Sequence, residues 1–262
     1  EMTRKLADEW TKQSGVKVVI ESIPANSLQA KVSTSIELGE GQDIFFMLHN
    51  WAHLYTNQLS DLSDIAEKLG SKYGGYYDAP KNACMVDGVW RAVPYNILPN
   101  VQTYRKDLFD EVGATTFPDT WEELRAVGKK LKAKGKPFGE TLGHSFADPV
   151  TFVYPFLWSY GGKEIAEDGK TFVLDSPETH KAMEFMKGMW DDAYFPGGIA
   201  WDDTSNNRAY HGGQISCTLN GASIYVVAKD KFPDLAKVTY QAPHPKGPAG
   251  RFHFNLQISH GI

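Results

Sequence analysis

Apolar residues near the start of the chain alternate between two spacings. Residues 2–13 and 26–38 place their apolar side chains on one face at helical spacing. Residues 16–20 form a short apolar run, and residues 43–48 are apolar without alternation, as in a parallel strand covered on both faces. This order of helix, strand, helix and strand predicts an α/β unit with a parallel sheet.

The stretch that begins at Asp87 and Gly88 predicts a hairpin, then an extended segment and then a helix. An Asp-Gly turn before apolar residues favours a hairpin, and residues 96–104 are extended without a helical period. Thr120, followed three positions later by Glu123, has the capping-box pattern that starts a helix. An extended segment between a hairpin and an independent helix predicts a crossing from one lobe into another.

The remainder of the chain predicts a second α/β lobe. Pro177 follows Ser176 at the first position of a helix. A further helix is expected near residues 204–211, and strands are expected at 214–219 and 252–258. The alternation of helix and strand therefore continues to the end of the chain, which places the whole protein in the α/β class.

These elements divide the chain into two lobes. Lobe one is assigned to residues 1–98, lobe two to residues 99–257, and the start of a return to lobe one to residues 258–262. An α/β lobe normally begins with a strand, whereas this chain begins in a helix, and its last strand stops abruptly. We therefore expect the chain to be truncated at both ends.

Composition and charge narrow the classes of function. A hydrophobic content of 42 % supports a real core, and an aromatic content of 13 % suits a protein that stacks on its ligand. The net charge of −5 provides no basic patch for nucleic acid, and no apolar run is long enough to insert into a membrane. Cys84 and Cys217 have no metal-like spacing and are interpreted as two buried free thiols.

Several segments together resemble one protein family. They are DGVWRAVPY, YRKDLF, FPDTWEELRAVGKKLKAKGKPFG, GQDIFFMLHNWAHLYTNQLSDLSDI, GGQISCTLNG and FHFNLQISHGI. As a set they are similar to family 1 solute-binding proteins of ABC importers, of which the maltose- and maltodextrin-binding proteins are the best known. The resemblance implies the two-lobed, type II periplasmic-binding-protein fold. Each lobe would be a mainly parallel sheet flanked by helices, with the ligand in the cleft between the lobes.

The same resemblance implies a function. It predicts a monomer without cofactor or metal that captures a small polar ligand, such as a mono- or oligosaccharide or a polyol, by hinge closure. The protein would deliver this ligand to the membrane subunits of an ABC permease, from the periplasm or as a cell-surface lipoprotein. The two crossing strands are expected at residues 96–100 and 254–259. Because proline fixes its own φ, the bend is expected on the flanks of Pro99.

Loops that directly follow strands are the first candidates for ligand contact, since ligands bind at the carboxyl ends of parallel strands. Asn50 and Trp51 combine an amide with a flat aromatic face, which suits the hydroxyls and C–H faces of a sugar. The alternative interpretation is that His49 and Asn50 cap the next helix and Trp51 packs on it. Tyr95 and Asn96 precede the crossing, and the resemblance places them on the cleft floor.

Tryptophans are the aromatic candidates of lobe two. Trp158 follows a predicted helix, and Trp201 precedes another. Both offer flat faces for stacking, and together with Trp51 they are expected to line the cleft rather than the core.

Acidic and imidazole side chains are the polar candidates of lobe two. His144 and Asp148 are interpreted either as ligand contacts or as residues that structure their loop. Asp203 or Thr204 is expected to cap the helix near residue 204, which leaves Asp202 as an acceptor for the ligand.

Asn220 and Gly221 follow a predicted strand and match an Asn-Gly pair of the family. Many relatives place a tryptophan shortly afterwards, where this chain has Ala222, Ser223 and Ile224. One stacking platform is therefore missing from the pattern, and a particular sugar specificity does not transfer.

Two alternatives to transport stay open at this point: a carbohydrate-processing enzyme and a ligand-sensing receptor subunit. Glycoside hydrolysis uses two carboxylates that flank a sugar, a role in which Asp148 and Asp202 would have to pair. The sequence has no nucleophile-elbow, zinc-protease or phosphate-loop motif, so we expect binding without turnover. A sugar phosphate would require Arg105 or Arg208 near the cleft.

Overall fold

The computed structural model describes residues 2–145 and 147–262, and the chain forms two compact units, residues 1–42 and 43–262. The smaller unit contains α1 (Met2–Ser14) and α2 (Ala25–Leu38). The larger unit contains, in chain order, β1 (Phe45–Leu48), α3 (Trp51–Leu54), α4 (Ser63–Tyr73), α5 (Asp78–Cys84), β2 (Met85–Val86), β3 (Val89–Trp90), β4 (Val93–Pro99), β5 (Val101–Arg105), α6 (Lys106–Glu111), α7 (Trp121–Ala133), α8 (Asp148–Ser159), α9 (Pro177–Ala193), α10 (Ser205–His211), β6 (Cys217–Asn220), α11 (Ser223–Lys231), α12 (Pro233–Val238), β7 (Thr239–Ala242) and β8 (Asn255–Gly261).

The strand predicted at residues 16–20 does not form. The segment has no regular structure, and Val16, Val18 and Val19 are 60 %, 41 % and 78 % exposed. A strand needs hydrogen bonds to a neighbouring strand, and residues 2–42 contain two helices and no strand. Helix hydrogen bonds are local, so the two predicted helices of this unit form without such a partner.

The first sheet has the strand order β1-β8-β4. In it His260 of β8 lies opposite Phe46 of β1, and Ile258 of β8 lies opposite Asn96 of β4. The second sheet has the order β6-β5-β7, in which Gln102 of β5 lies between its neighbours. A separate hairpin pairs β2 with β3, as the Asp-Gly turn predicted.

The expectation of mainly parallel sheets is wrong for the strand pairs of the described residues. Each strand in these sheets is antiparallel to its neighbour. The reason lies in the two middle strands, β8 and β5, which run opposite to both of their partners. The outer strands of each sheet therefore share a direction without touching each other.

Two adjacent links join the first sheet to the second. On the outgoing link β4 ends at Pro99 and β5 begins at Val101. The amide of Asn100, between them, donates to the carbonyl of Phe254 on the return link at 3.3 Å. Pro99 also lies opposite Asn255, the first residue of β8. The two links are therefore hydrogen-bonded to each other where the crossings were predicted.

Helices α7, α8 and α9 bury the core of the region around the second sheet. Trp121, Phe152 and Phe156 are among its largest fully buried side chains. The capping box of α7 is confirmed: the Glu123 amide donates to Thr120 Oγ1 at 3.2 Å, and the Thr120 amide donates to Glu123 Oε2 at 3.2 Å. This core holds the start of α8, where several candidate residues lie.

The two cysteines are free and buried, as predicted. Burial raises the pKa of the Cys84 thiol to about 11, so this group is a neutral thiol at physiological pH. In the described part of the chain, no helix combines the length and the apolar character that crossing a membrane requires.

Candidate functional site

The loop after β1 reaches the crossing between the two sheets. His49 adopts a positive φ of 51°, and its amide donates to the carbonyl of Gln257 on β8 at 2.9 Å. Asn50 is exposed and stands before α3 without a side-chain capping bond to that helix. The interpretation of the Asn50 side chain as a helix cap is therefore wrong, and its amide faces solvent.

Trp51 is not the open stacking face that the sequence predicted. The side chain is only 4 % exposed and contacts Tyr55 edge-on, with 6.4 Å between ring centroids. Because Trp51 begins α3, the helix turns its indole into the core beneath β1. The alternative interpretation, in which Trp51 packs on its own helix, is correct.

Four aromatic rings form a row across the crossing, and we call Tyr154, Trp158, Phe254 and His49 the aromatic row. The Trp158 ring lies nearly parallel to Tyr154, at 5.9 Å and 11°, and to Phe254, at 6.5 Å and 14°. Phe254 in turn contacts His49 edge-on at 5.3 Å. The row therefore links α8, the return link and the loop after β1 through ring contacts.

The surroundings of the aromatic row act on two of its members, Trp158 and His49. Indole Nε1 of Trp158 donates to Glu164 Oε2 at 2.9 Å, which fixes the ring plane. Burial lowers the pKa of His49, so its imidazole is neutral at physiological pH. Phe254 and His49 were not among the candidate residues. A lone phenylalanine before a strand has no distinguishing pattern, and its role depends on a contact with distant Trp158.

Tyr95 and Asn96 lie at a bulge in β4. The register with β8 shifts between Pro94 and Asn96, so Tyr95 is the extra residue of the bulged strand. Its side chain is 55 % exposed, and its ring contacts His260 edge-on at 5.1 Å. Both side chains are exposed on β4, the strand that leads to the crossing, and their place on a cleft floor stays a prediction.

Five polar side chains meet at the start of α8, and we call Asp148, Asp203, Asn206, Asn207 and Asn220 the polar cluster. Asn206 donates to Asp148 Oδ2 at 2.8 Å, and Asn220 donates to Asn207 Oδ1 at 2.7 Å. Asp203 Oδ1 accepts the amide of Asp148 at 2.9 Å. The cluster therefore joins α8, α10 and the carboxyl end of β6.

Two carboxyl groups of this region have a raised pKa. Glu140 is 1 % exposed; its Oε2 accepts the Leu219 amide at 2.8 Å, and burial raises its pKa well above the usual range. Burial, assisted by the charge of Asp203, raises the pKa of Asp148 to about 7, although the amide of Asn206 opposes the shift. A protonated carboxyl donates as well as accepts hydrogen bonds, so in that form Asp148 can donate to a hydroxyl oxygen or accept from a hydroxyl hydrogen.

Thr204, one of the two predicted alternatives, is the N-cap residue of α10, although its side chain makes no capping hydrogen bond. Asp202 Oδ1 accepts the amide of Thr204 at 3.0 Å and the hydroxyl of Ser205 at 2.7 Å, bonds that hold its pKa well below the usual range. Asp202 is thus the carboxylate at the start of α10. Asp203 instead reaches back 55 residues along the chain to the start of α8. Asp202 is therefore already hydrogen-bonded within its own loop, and its role as a ligand acceptor stays a prediction.

Trp201 is half-buried. The sequence predicted that it lines the cleft rather than the core. Its ring stacks on Phe195 at 5.3 Å and 27°, and it packs against the buried cluster around Tyr210 and Ile215. Gly139 permits this packing, since a Cβ there would lie 2.9 Å from the indole. His144, on the preceding loop, is exposed.

Asn220 and Gly221 lie beside the crossing. Asn220 Oδ1 accepts the hydroxyl of Ser223 at the start of α11 at 2.8 Å, so both ends of its amide already have protein partners. A Cβ at Gly221 would meet Asn100 Oδ1 at an ordinary 3.8 Å. Crowding therefore does not require a glycine at this position.

Two cavities open on the larger unit, and the predicted site residues line neither. One, of about 560 Å³, lies at the Arg105 end of β5, beside His211 and Phe232. The other, of about 440 Å³, lies beside the crossing. The larger cavity is at the far end of the second sheet from the links. For this reason the convergence of side chains, rather than cavity volume, locates the candidate site.

Comparison with known proteins identifies the family of this chain. The family model described as "Bacterial extracellular solute-binding protein" matches residues 5–259. A binding protein of Brucella abortus (strain 2308) is 26 % identical over 90 % of this chain, and the chain spans 57 % of its length.

Solved structures share the fold of this chain. Maltose-bound T. maritima MalE3 has a TM-score of 0.88 at 24 % identity, covering 99 % of this chain and 68 % of its own. A solute-binding protein from Agrobacterium radiobacter K84 in complex with ribitol has a TM-score of 0.87 at 22 % identity, covering 100 % and 67 %. These comparisons confirm the α/β class and the type II periplasmic solute-binding fold. The chain belongs to the bacterial extracellular solute-binding protein family.

Proposed function

We propose that this chain supplies the ligand-binding lobes of the solute-binding component of an ABC importer. Its ligand is a neutral sugar or polyol, a class represented by the maltose and ribitol of the two structures named above. In this proposal the first and second sheets belong to separate lobes, which the two links join. The observation that carries the proposal is the aromatic row, because its rings come from both sides of the links and meet between them.

Sugars and polyols fit the groups that converge there. Trp158 and Phe254 provide flat faces for C–H groups, and the exposed amides of Asn50 and Asn96 provide both donors and acceptors for hydroxyls. Asp148 adds a carboxyl group whose pKa lies near neutrality. His144, Tyr95, Trp201 and the Gly221 backbone complete the proposed ligand contacts.

A phosphorylated ligand is disfavoured by the two arginines that the sequence singled out. Arg105 donates from Nε and Nη2 to Asp107, at 2.9 Å and 2.6 Å, at the end of β5 that points away from the links. Arg208 donates to Ser205 at 2.9 Å on α10. Since the polar cluster is also acidic, a phosphate would meet repulsion without a guanidinium to offset it.

Closure supplies the mechanism. A ligand that contacts both lobes makes its full set of contacts only in the closed state, so it shifts the open–closed equilibrium by that difference in affinity. The links around Pro99 and Phe254 would absorb the change in φ and ψ. Saturating ligand is expected to reduce the radius of gyration in solution X-ray scattering. An unchanged profile would contradict closure.

The remaining parts of the proposal are the setting and the absence of turnover. The protein would act as a monomer in the periplasm or at the cell surface, where it delivers its ligand to the permease subunits. Asp202 Oδ1 accepts the amide of Thr204, and Asp148 Oδ2 accepts the side-chain amide of Asn206, so these contacts give no support to the carboxylate pair of a glycosidase.

A thermal-shift screen of sugars, polyols and their phosphates tests this function. We expect neutral sugars or polyols to raise the melting temperature, their phosphates to have no effect, and the ligand to be recovered chemically unchanged. A hydrolysis product that disappears in Asp148→Asn would favour an enzyme. A response to phosphates alone would contradict the proposed ligand class.

A further inference from the structure

The cavity beside the crossing has walls from both links. Its volume is about 440 Å³, within the usual range for sites of small molecules. It is lined by Pro99, Val101, Gln241, Ala242, Pro243, His253 and Asn255. The outgoing link, the end of β7 and the return link each contribute, while no member of the aromatic row or the polar cluster lines it.

The volume of this hinge cavity depends on the relative position of the links. Pro99 lies opposite Asn255, and the Asn100 amide donates to the Phe254 carbonyl at 3.3 Å, so the links are joined at the edge of the cavity. In the proposed closure, rotation about the links would move Pro99 and Val101 relative to His253. A molecule in the cavity would then have different contacts in the open and closed states.

The chemistry of the walls is mixed. Pro99, Val101 and Ala242 present apolar surface, and Gln241 and Asn255 present amides. No Asp, Glu, Lys or Arg side chain lines the cavity, so the walls favour a neutral molecule with an apolar body.

A buried donor without a partner lies directly behind this wall. His244 follows the lining residue Pro243 in the chain, is 1 % exposed, and contacts the His253 ring at 5.0 Å. Its Nδ1 lies 3.4 Å from the amide nitrogen of Gln102. An amide nitrogen is only a hydrogen-bond donor, so Nδ1 is the acceptor and the ring proton is on Nε2.

This Nε2–H has no hydrogen-bond partner among the described residues. Burial lowers the pKa of His244 to about 3, which keeps the ring neutral. An unpaired buried donor is costly and rare in folded proteins. An oxygen acceptor that reaches Nε2 would provide the missing partner, and the amides of Gln241 and Asn255 at the cavity wall can donate to the same kind of acceptor.

We propose that the hinge cavity binds a small neutral molecule with an apolar body and one hydrogen-bond acceptor, and that its occupancy changes the affinity for the transported solute. The second half rests on the proposed function. The coupling is reciprocal, so the solute must change the affinity for the cavity ligand by the same factor.

Cyclohexanone is a suitable probe, since it combines an apolar ring with one carbonyl acceptor. Saturation-transfer NMR is expected to give a saturable signal with the wild-type protein. Asn255→Trp and Gln241→Trp, both at exposed lining positions, are expected to reduce that signal at least five-fold by filling the cavity. Asn57→Trp, an exposed asparagine that does not line the cavity, is the matched control and should retain the signal. Circular dichroism checks that each variant is folded.

Absence of a saturable signal in the wild type would overturn the proposal, as would an undiminished signal in both folded cavity variants. The coupling is measured separately with the best polyol of the thermal-shift screen. Saturating cyclohexanone should change its dissociation constant at least two-fold in the wild type and in Asn57→Trp, but not in Asn255→Trp. An unchanged dissociation constant would overturn the coupling. If no polyol binds while cyclohexanone does, the transport proposal fails and the cavity site stands.

Discussion

The aromatic row and the polar cluster lie in the same part of the protein but differ in how far their side chains are already committed. The row is held by ring contacts and one indole hydrogen bond, and its Trp158 and Phe254 rings are only partly buried. In the cluster, Asn206, Asn220 and Asp203 have protein partners for their polar atoms. Residue types that suit a ligand are therefore a poor guide where the fold itself needs the same hydrogen bonds.

The largest expected effect tests the structural role of the polar cluster. Asp203→Ala removes a carboxylate that accepts the Ser145 hydroxyl at 2.7 Å and the Asp148 amide at 2.9 Å. Hydrogen bonds to a charged acceptor are worth about 1.5–3 kcal/mol each, so we expect the free energy of unfolding in urea to fall by about 2–3 kcal/mol. The control Asp202→Ala removes an exposed carboxylate that accepts the Thr204 amide, and it should lower the free energy of unfolding by less. Equal losses of stability in the two variants would contradict a special structural role of Asp203 in the polar cluster.

The next effect concerns pH. The folded pKa of Asp148, about 7, lies above its unfolded value, so its protonation stabilises the fold at low pH. This contribution is complete below about pH 4 and is lost as the pH rises through 7. Asp148→Asn cannot ionise and should therefore gain about 1–2 kcal/mol relative to the wild type between pH 5 and pH 8, after allowance for partial solvent screening. Urea unfolding at both pH values measures it, and a difference independent of pH would contradict the assignment.

A smaller effect separates structure from ligand contact at Asn220. Asn220→Ala loses the bonds to Asn207 and Ser223, and we expect the free energy of unfolding to fall by about 0.5–1.5 kcal/mol. Because both ends of the amide already have partners, ligand affinity should change less than two-fold. A large loss of affinity with unchanged stability would move Asn220 from the structural group to the ligand group.

Local signals in the sequence were reliable, and signals that depend on distant partners were not. The capping box of Thr120 and Glu123 was predictable because both residues belong to one helix turn. The strand at residues 16–20 was not, because a strand forms only beside another strand.

The candidate site divides in the same way. Trp158 was a candidate from its own segment, although it lies in the last turn of α8 rather than after a helix, whereas Phe254 becomes informative only once the return link lies against α8. Asp202 and Asp203 are adjacent in sequence, and nothing local decides which of them accepts the Thr204 amide and which reaches α8.

The most direct test of the account is the affinity of Trp158→Ala for the sugar or polyol that gives the largest thermal shift. Isothermal titration calorimetry should show binding weakened by about 1–3 kcal/mol, or about 5- to 150-fold, because a stacking face is lost. Phe172→Ala removes an aromatic ring that is 83 % exposed and is the control, with unchanged affinity expected. If Trp158→Ala is folded and binds as tightly as the wild type, the aromatic row is not the ligand site.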